Sequence, residues 1–153
     1  MEPLFKTKTK CTEEQYKKFY KAVLKAQHLR ISILILELSF LLASILWRNL
    51  ICLLVVILFP TFFYIFAEVE RKKEFNSNKA IQNMESEFAF YEDYFEEKTE
   101  YGEAKVEYKM LHKIIETKDN MYLMIGKSQG YILIKEKMSK ELVEFIKNKE
   151  KYL

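Results

Sequence analysis

Three of the 153 residues are glycine, two are cysteine and two are histidine. Each scarcity removes a class of function. Two cysteines, Cys11 and Cys52, make no disulfide framework. Neither a Walker loop nor a G-x-S-x-G nucleophile elbow occurs. His28 and His112 stand far apart, and neither has ligand-spaced neighbours. No metal, no cofactor and no catalytic residue is expected.

What the chain has in quantity is apolar sequence, gathered into two runs. Residues 31–47 and 50–67 are separated only by Arg48 and Asn49. At ~1.5 Å rise per residue each run covers most of a ~30 Å hydrocarbon core. Neither run has the polar face that a soluble helix of that length needs. The expectation is a transmembrane helical hairpin over 31–67, with the lipid bilayer as partner. Cys52 packs in it as a small apolar residue. Trp47 and Tyr64 suit interfacial positions. A re-entrant hairpin bent at Pro60 is the rival reading. The first run starts too late for a usual signal sequence.

Charge orients the hairpin. Residues 1–30 carry eight Lys/Arg against three Glu, and residues 68–153 carry sixteen against eighteen acids. Lys17, Lys18, Lys21, Lys25 and Arg30 precede the first run, Arg71, Lys72 and Lys73 follow the second, and Arg48 alone lies between. The positive-inside bias puts both termini in the cytoplasm. The net acidic C-terminal part argues against nucleic acid as a partner.

Among the polar residues of the runs, Glu37 and Thr61 stand out. A charge inside a span is costly and invites a functional reading. The structural reading is a neutral Glu37 level with Pro60 and Thr61, satisfying backbone groups that the proline leaves unpaired. It is favoured, because one carboxyl without a second intramembrane charge is a poor relay.

Before the hairpin, residues 4–9 alternate Phe5, Thr7 and Thr9 with lysines, a strand signal. Thr12 and Gln15 fit a capping box. The helix that follows places Tyr16, Phe19, Tyr20, Val23, Leu24 and Gln27 on one stripe, with Lys17, Lys21 and Lys25 beside it. Either Lys17, Lys21, Lys25 and Arg30 form an interfacial basic face held by anionic lipid, or the stripe packs on the C-terminal domain and the lysines are solvated.

After Ala67 the polarity flips. Residues 68–73 read as a helix exit and 75–83 as a turn-rich connector. From Met84 the period is that of strands, five or six of them antiparallel. Residues 121–125 and 131–134 form a hairpin about Lys127-Ser128-Gln129-Gly130. Ser139 caps a final helix with Leu142, Phe145 and Ile146 inside. Glu85, Glu87, Glu92, Asp93, Glu96, Glu97, Glu100 and Glu103 gather with Lys98 as the one opposing charge. They read as a solvated strand face, with docking of a basic partner segment as its one plausible use.

The segments Thr12-Glu13-Glu14-x-Tyr16, Phe90-Tyr91-Glu92-Asp93, Tyr108-x-x-Leu111-x-Lys113-Ile114-x-Glu116-Thr117-Lys118 and Gly130-Tyr131-Ile132-Leu133-Ile134-Lys135, with the close hairpin, resemble the YcxB-like membrane proteins of bacteria. The resemblance implies a bacterial cytoplasmic membrane location. It also implies a pleckstrin-homology-like sheet with one capping helix. The family pattern would place a proline turn where Lys135-Glu136 stands. It implies no activity.

The expected fold class is α+β: a two-helix transmembrane hairpin plus a small antiparallel sheet domain with a C-terminal helix. Residues 1–30 pack with the cytoplasmic sheet domain, 31–67 form the hairpin, and 75–153 form that domain. The leading function is a non-enzymatic membrane protein whose domain binds a protein partner or itself. The alternative is an immunity protein against a pore-forming toxin. A small enzyme of lipid metabolism is disfavoured by the missing nucleophile–base set.

Overall fold

The computed structural model describes every residue except Met1, His28, 47–49 and Leu153, and omits the side chains of Leu29, Arg30, Cys52 and Tyr152. The expected Trp47 anchor, the Arg48-Asn49 turn and the Arg30 and Cys52 side chains therefore lie outside the described residues. The fold is α+β, with four helices and two small antiparallel sheets. In chain order it runs β1 (Phe5–Lys10), α1 (Glu13–Ala26), α2 (Leu29–Leu46), α3 (Leu50–Ser77), β2 (Glu85–Phe90), β3 (Tyr94–Thr99) and β4 (Gly102–Glu107). There follow β5 (Lys113–Glu116), β6 (Asn120–Met124), β7 (Gly130–Ile134) and α4 (Lys140–Lys149). The chain divides into two compact units, residues 1–23 with 78–153 and residues 24–77.

In the first unit, one sheet has the order β1-β2-β3-β4 and the other β5-β6-β7. β1 pairs with β2 from Phe5↔Phe90 to Lys10↔Glu85. Three helices therefore lie between two hydrogen-bonded strands. β1 is held a second time by the Thr7 hydroxyl, which donates to the Lys137 carbonyl at 2.8 Å. The core joins Phe88, Phe90 and Phe95 of the first sheet to Met121, Leu123 and Leu133 of the second. Leu142 and Ile146 of α4 join it. Ser139 caps α4 by accepting from the Leu142 N–H at 3.1 Å. Where a proline turn was expected, Lys135–Lys137 forms one turn of 3-10 helix.

α1 explains why β6 reads as an unbroken apolar strand. Met121 and Leu123 face the core. On the other face Tyr122 meets the Phe19 ring edge-on at 5.4 Å, and Asn120 donates to the Gln15 side-chain carbonyl at 2.8 Å. Both faces are covered, so all five residues are buried, as expected of a strand enclosed on both sides. The aromatic stripe of α1 is thus used inside the domain: Tyr16, Phe19, Ala22 and Val23 are buried. The capping box is half formed. Thr12 Oγ1 accepts from the Gln15 N–H at 3.3 Å, but the Gln15 side chain goes to Asn120 instead of returning to Thr12.

In the second unit α2 and α3 lie against each other. α3 has 28 residues and stays helical through Pro60, about 42 Å at ~1.5 Å per residue. It continues ten residues past Ala67, where a helix exit and a loop were expected. Residues 68–75 hold neither glycine nor proline. Arg71 also pairs back to Glu68 at 2.8 Å, one turn earlier, so nothing stops the helix before Asn76-Ser77-Asn78. Asn83, at φ 59°, turns the chain into β2; asparagine tolerates that left-handed conformation better than most residues. Among the described residues one helix, Leu53–Ser77, is long and apolar enough by itself to cross a membrane. The segment Ile31–Leu46 passes that test only jointly with Glu13–Ala26.

Candidate functional site

The intramembrane candidates are not joined. Glu37 is half-buried on α2, Thr61 is exposed on α3, and among the described residues no hydrogen bond links them. Of the basic candidates on α1, Lys21 and Lys25 are exposed and Lys17 is half-buried. Lys18 bridges Glu14 at 3.1 Å and Asp119 at 3.2 Å.

The acidic face is dispersed. Lys8 pairs with Glu87, and Lys10 with Glu85 at 3.1 Å. Lys98 pairs with Glu103 at 2.7 Å and the buried Lys149 with Glu92 at 2.9 Å. The reading of one weakly opposed carboxylate cluster is corrected here. Its counter-charges come from β1 and α4, which lie far away in sequence. One of the eight acids leaves the face altogether. Side chains alternate along a strand, so Glu97 falls with Phe95 on the inner side.

That inner side changes character along its length. The row Phe5–Phe90–Phe95–Val106 is apolar. The next row, Thr7–Phe88–Glu97–Ala104, admits a carboxyl, and Thr9 with Ser86 ends the face in hydroxyls. This polar end forms the floor of a cavity of about 180 Å³. Tyr16 and Phe19 of α1, Ile81 and Met84 of the connector, and Gly130, Tyr131 and Ile132 of β7 line the rest.

The cavity is chemically distinctive. Burial pushes the Glu97 carboxyl above the usual carboxylate range, opposed in part by the Ser86 hydroxyl that donates to it. Burial also raises the Tyr131 phenol, and the Glu97 charge raises it further. Cys11 lines the same space, and burial pushes its thiol up. A thiol held protonated is a weak nucleophile. Thr9 is 5% exposed, and its hydroxyl has no hydrogen-bond partner among the described residues. No Lys, Arg or His lines the cavity, and among the described residues no ion pair reaches Glu97. No group of three metal-ligating side chains occurs among the described residues.

The model of the YcxB-like protein family matches residues 90–149. Over these residues the chain is similar to the YcxB-like family. No curated protein and no solved structure matches the chain. The YcxB-like segment runs from the last residue of β2 to the last of α4 and so takes in Glu97, Gly130 and Tyr131. Thr9, Cys11, Tyr16, Phe19, Ile81, Met84, Ser86 and Phe88 lie outside it, so most of the cavity lining precedes the YcxB-like segment. The sequence reading missed the site. The signal was the phase of Glu97 with Phe95, obscured by the acids around it.

Proposed function

We propose that the chain is an integral protein of the bacterial cytoplasmic membrane. In this reading α2 and α3 cross the bilayer as a hairpin, and the two-sheet domain lies in the cytoplasm. It works as a non-catalytic interaction module for a protein partner or a second copy of the chain. The observation that carries the reading is the β1–β2 pairing across the helices. Lys10 and Glu85 are Cα partners, so the two ends of the inserted segment leave one sheet. A hairpin that returns to the face it left is the membrane topology compatible with that pairing.

The side chains of the inserted helices support the location. Leu34, Ile35, Ile45 and Leu46 of α2 and Ile51, Ile57, Phe62 and Ile65 of α3 are all more than half exposed. A contiguous apolar surface of that kind in water is far beyond what a soluble protein carries. Four strands plus three, closed by a C-terminal helix, also agrees with a pleckstrin-homology-like domain. Lys21 and Lys25, free of the stripe that α1 buries, would face anionic head groups at about 1 kcal/mol each near the surface.

Reporter insertion tests this. An enzyme active only outside the cytoplasm should give signal when placed between Leu46 and Leu50 and none at the C-terminus. The chain should stay in the membrane pellet through alkaline carbonate. Release by carbonate, or signal from the C-terminal fusion, overturns the topology. Cross-linking in intact membranes tests the module: a product of twice the chain mass, or of one defined larger mass, is expected, and monomer alone counts against it.

A further inference from the structure

Glu97 stands where the fold would accept an apolar residue. Its row neighbours are Phe88 and Ala104, and the cavity wall it shares includes the rings of Tyr16, Phe19 and Tyr131. A half-buried carboxylate without a cation is unfavourable, and the Ser86 hydroxyl would serve an uncharged glutamine as well. We propose that the cavity over Ser86 and Glu97 binds a small organic ammonium group, with Glu97 as its counter-charge.

Four features of the cavity converge on that chemistry. The lining carries one acid and no base, so it attracts cations and repels anions such as phosphate. The rings of Tyr16, Phe19, Phe88 and Tyr131 line it, and the face of an aromatic ring attracts a cation. The Thr9 hydroxyl, buried and without a hydrogen-bond partner among the described residues, offers a lone pair to an ammonium N–H. The volume, about 180 Å³, is the share of roughly six waters at ~30 Å³ each. That is below the ~300–1,000 Å³ of sites for drug-sized ligands. The fit is to a head group, either a free amine or the amine end of a membrane lipid.

The test uses the full chain in an uncharged detergent. Ethanolamine and tetramethylammonium are titrated, with tert-butanol as the uncharged match, while the aromatic NMR signals of Phe88 and Tyr131 are followed. Saturable shifts in the millimolar range are expected for both cations and not for tert-butanol. Glu97→Gln should weaken both cations at least tenfold, whereas Glu96→Gln, on the opposite face of β3, should change neither. Thr9→Val should weaken ethanolamine and leave tetramethylammonium, which has no N–H. Equal response to tert-butanol, unaltered binding by a folded Glu97→Gln, or no saturation for either cation overturns the proposal. If Glu97→Gln does not fold, the Thr9→Val and tert-butanol comparisons decide alone. Bilayers distinguish the source. Ethanolamine that titrates the chain in phosphatidylglycerol but not in phosphatidylethanolamine assigns the lipid head group, and equal titration in both assigns a free amine. None of these readouts depends on membrane topology.

Discussion

The Thr7 hydroxyl donates to the main-chain carbonyl of Lys137, 130 residues further along, at 2.8 Å. This bond ties the first strand to the turn that leads into α4. Thr7 is 6% exposed, while Lys137 is exposed, so water can replace the lost donor in part. Thr7→Val should lower stability by about 0.5–1.5 kcal/mol, the net contribution of an ordinary hydrogen bond. Denaturant unfolding of the detergent-solubilised chain, followed by tyrosine fluorescence, measures it. No shift in midpoint would mean that β1 is held by its ladder alone.

Glu97 should give stability an unusual pH dependence. Its folded carboxyl is raised by burial, so the native state holds a proton that the unfolded chain releases near pH ~4.3. Between that value and the raised folded one, the native state binds more protons than the unfolded state. Stability from this residue is therefore present at low pH and is lost as pH rises through the window. Glu97→Gln removes the effect. The melting temperature of the variant minus that of the wild type should increase from pH 4 toward pH 7. A flat difference would show that the carboxyl is solvated in the native state.

Gly130 is required for space. A Cβ there would meet the Leu123 carbonyl oxygen at 2.7 Å and Met124 Sδ at 2.9 Å. The first is main chain of the fully buried β6 and has nowhere to move. Gly130→Ala should cost about 1–3 kcal/mol, the usual penalty for overpacking. Chemical denaturation reads it directly, and a loss under a few tenths of a kcal/mol would mean that β7 shifts freely.

Glu37 bears on the proposed topology. It is half-buried on α2, and among the described residues no hydrogen bond joins it to Thr61. If α2 spans the bilayer, Glu37→Gln should assemble like the wild type. Glu37→Leu should insert more readily, since an intramembrane charge costs on the order of 2–3 kcal/mol on insertion scales. Membrane abundance and carbonate resistance of the two variants are the measurements. Lower abundance of the leucine variant would show that α2 uses the carboxyl.

Local signals carried the local elements. The alternation of Phe5, Thr7 and Thr9, the cap at Ser139 and the Leu142-Phe145-Ile146 face are short-range patterns, and the structure forms a strand and a helix there. The stripe of α1 was legible as a buried face, while its two possible partners were not separable, because Phe19–Tyr122 and Gln15–Asn120 join residues about a hundred positions apart. Separations of 75 and 79 positions likewise hid the counter-charges of Glu85 and Glu87, which are Lys10 and Lys8. The end of α3 was misplaced for a different reason. Polarity changes at Glu68, but nothing there breaks a helix. The cavity was illegible because it needs three partners at once: the phase of β3, the fit of β7 and the return of β1.

Because β1 and β2 are pairing partners with α1, α2 and α3 between them, the first sheet cannot close in the order in which it is made. At ~5–20 residues per second, the interval from Lys10 to Phe90 lasts roughly 4–16 s. During that time β1 has left the ribosome without a neighbour. Its Lys6, Lys8 and Lys10 keep that waiting strand charged, which discourages pairing with other chains. The helices α2 and α3 are therefore synthesised before the domain that flanks them can fold; if they span the bilayer as proposed, the insertion machinery meets them first.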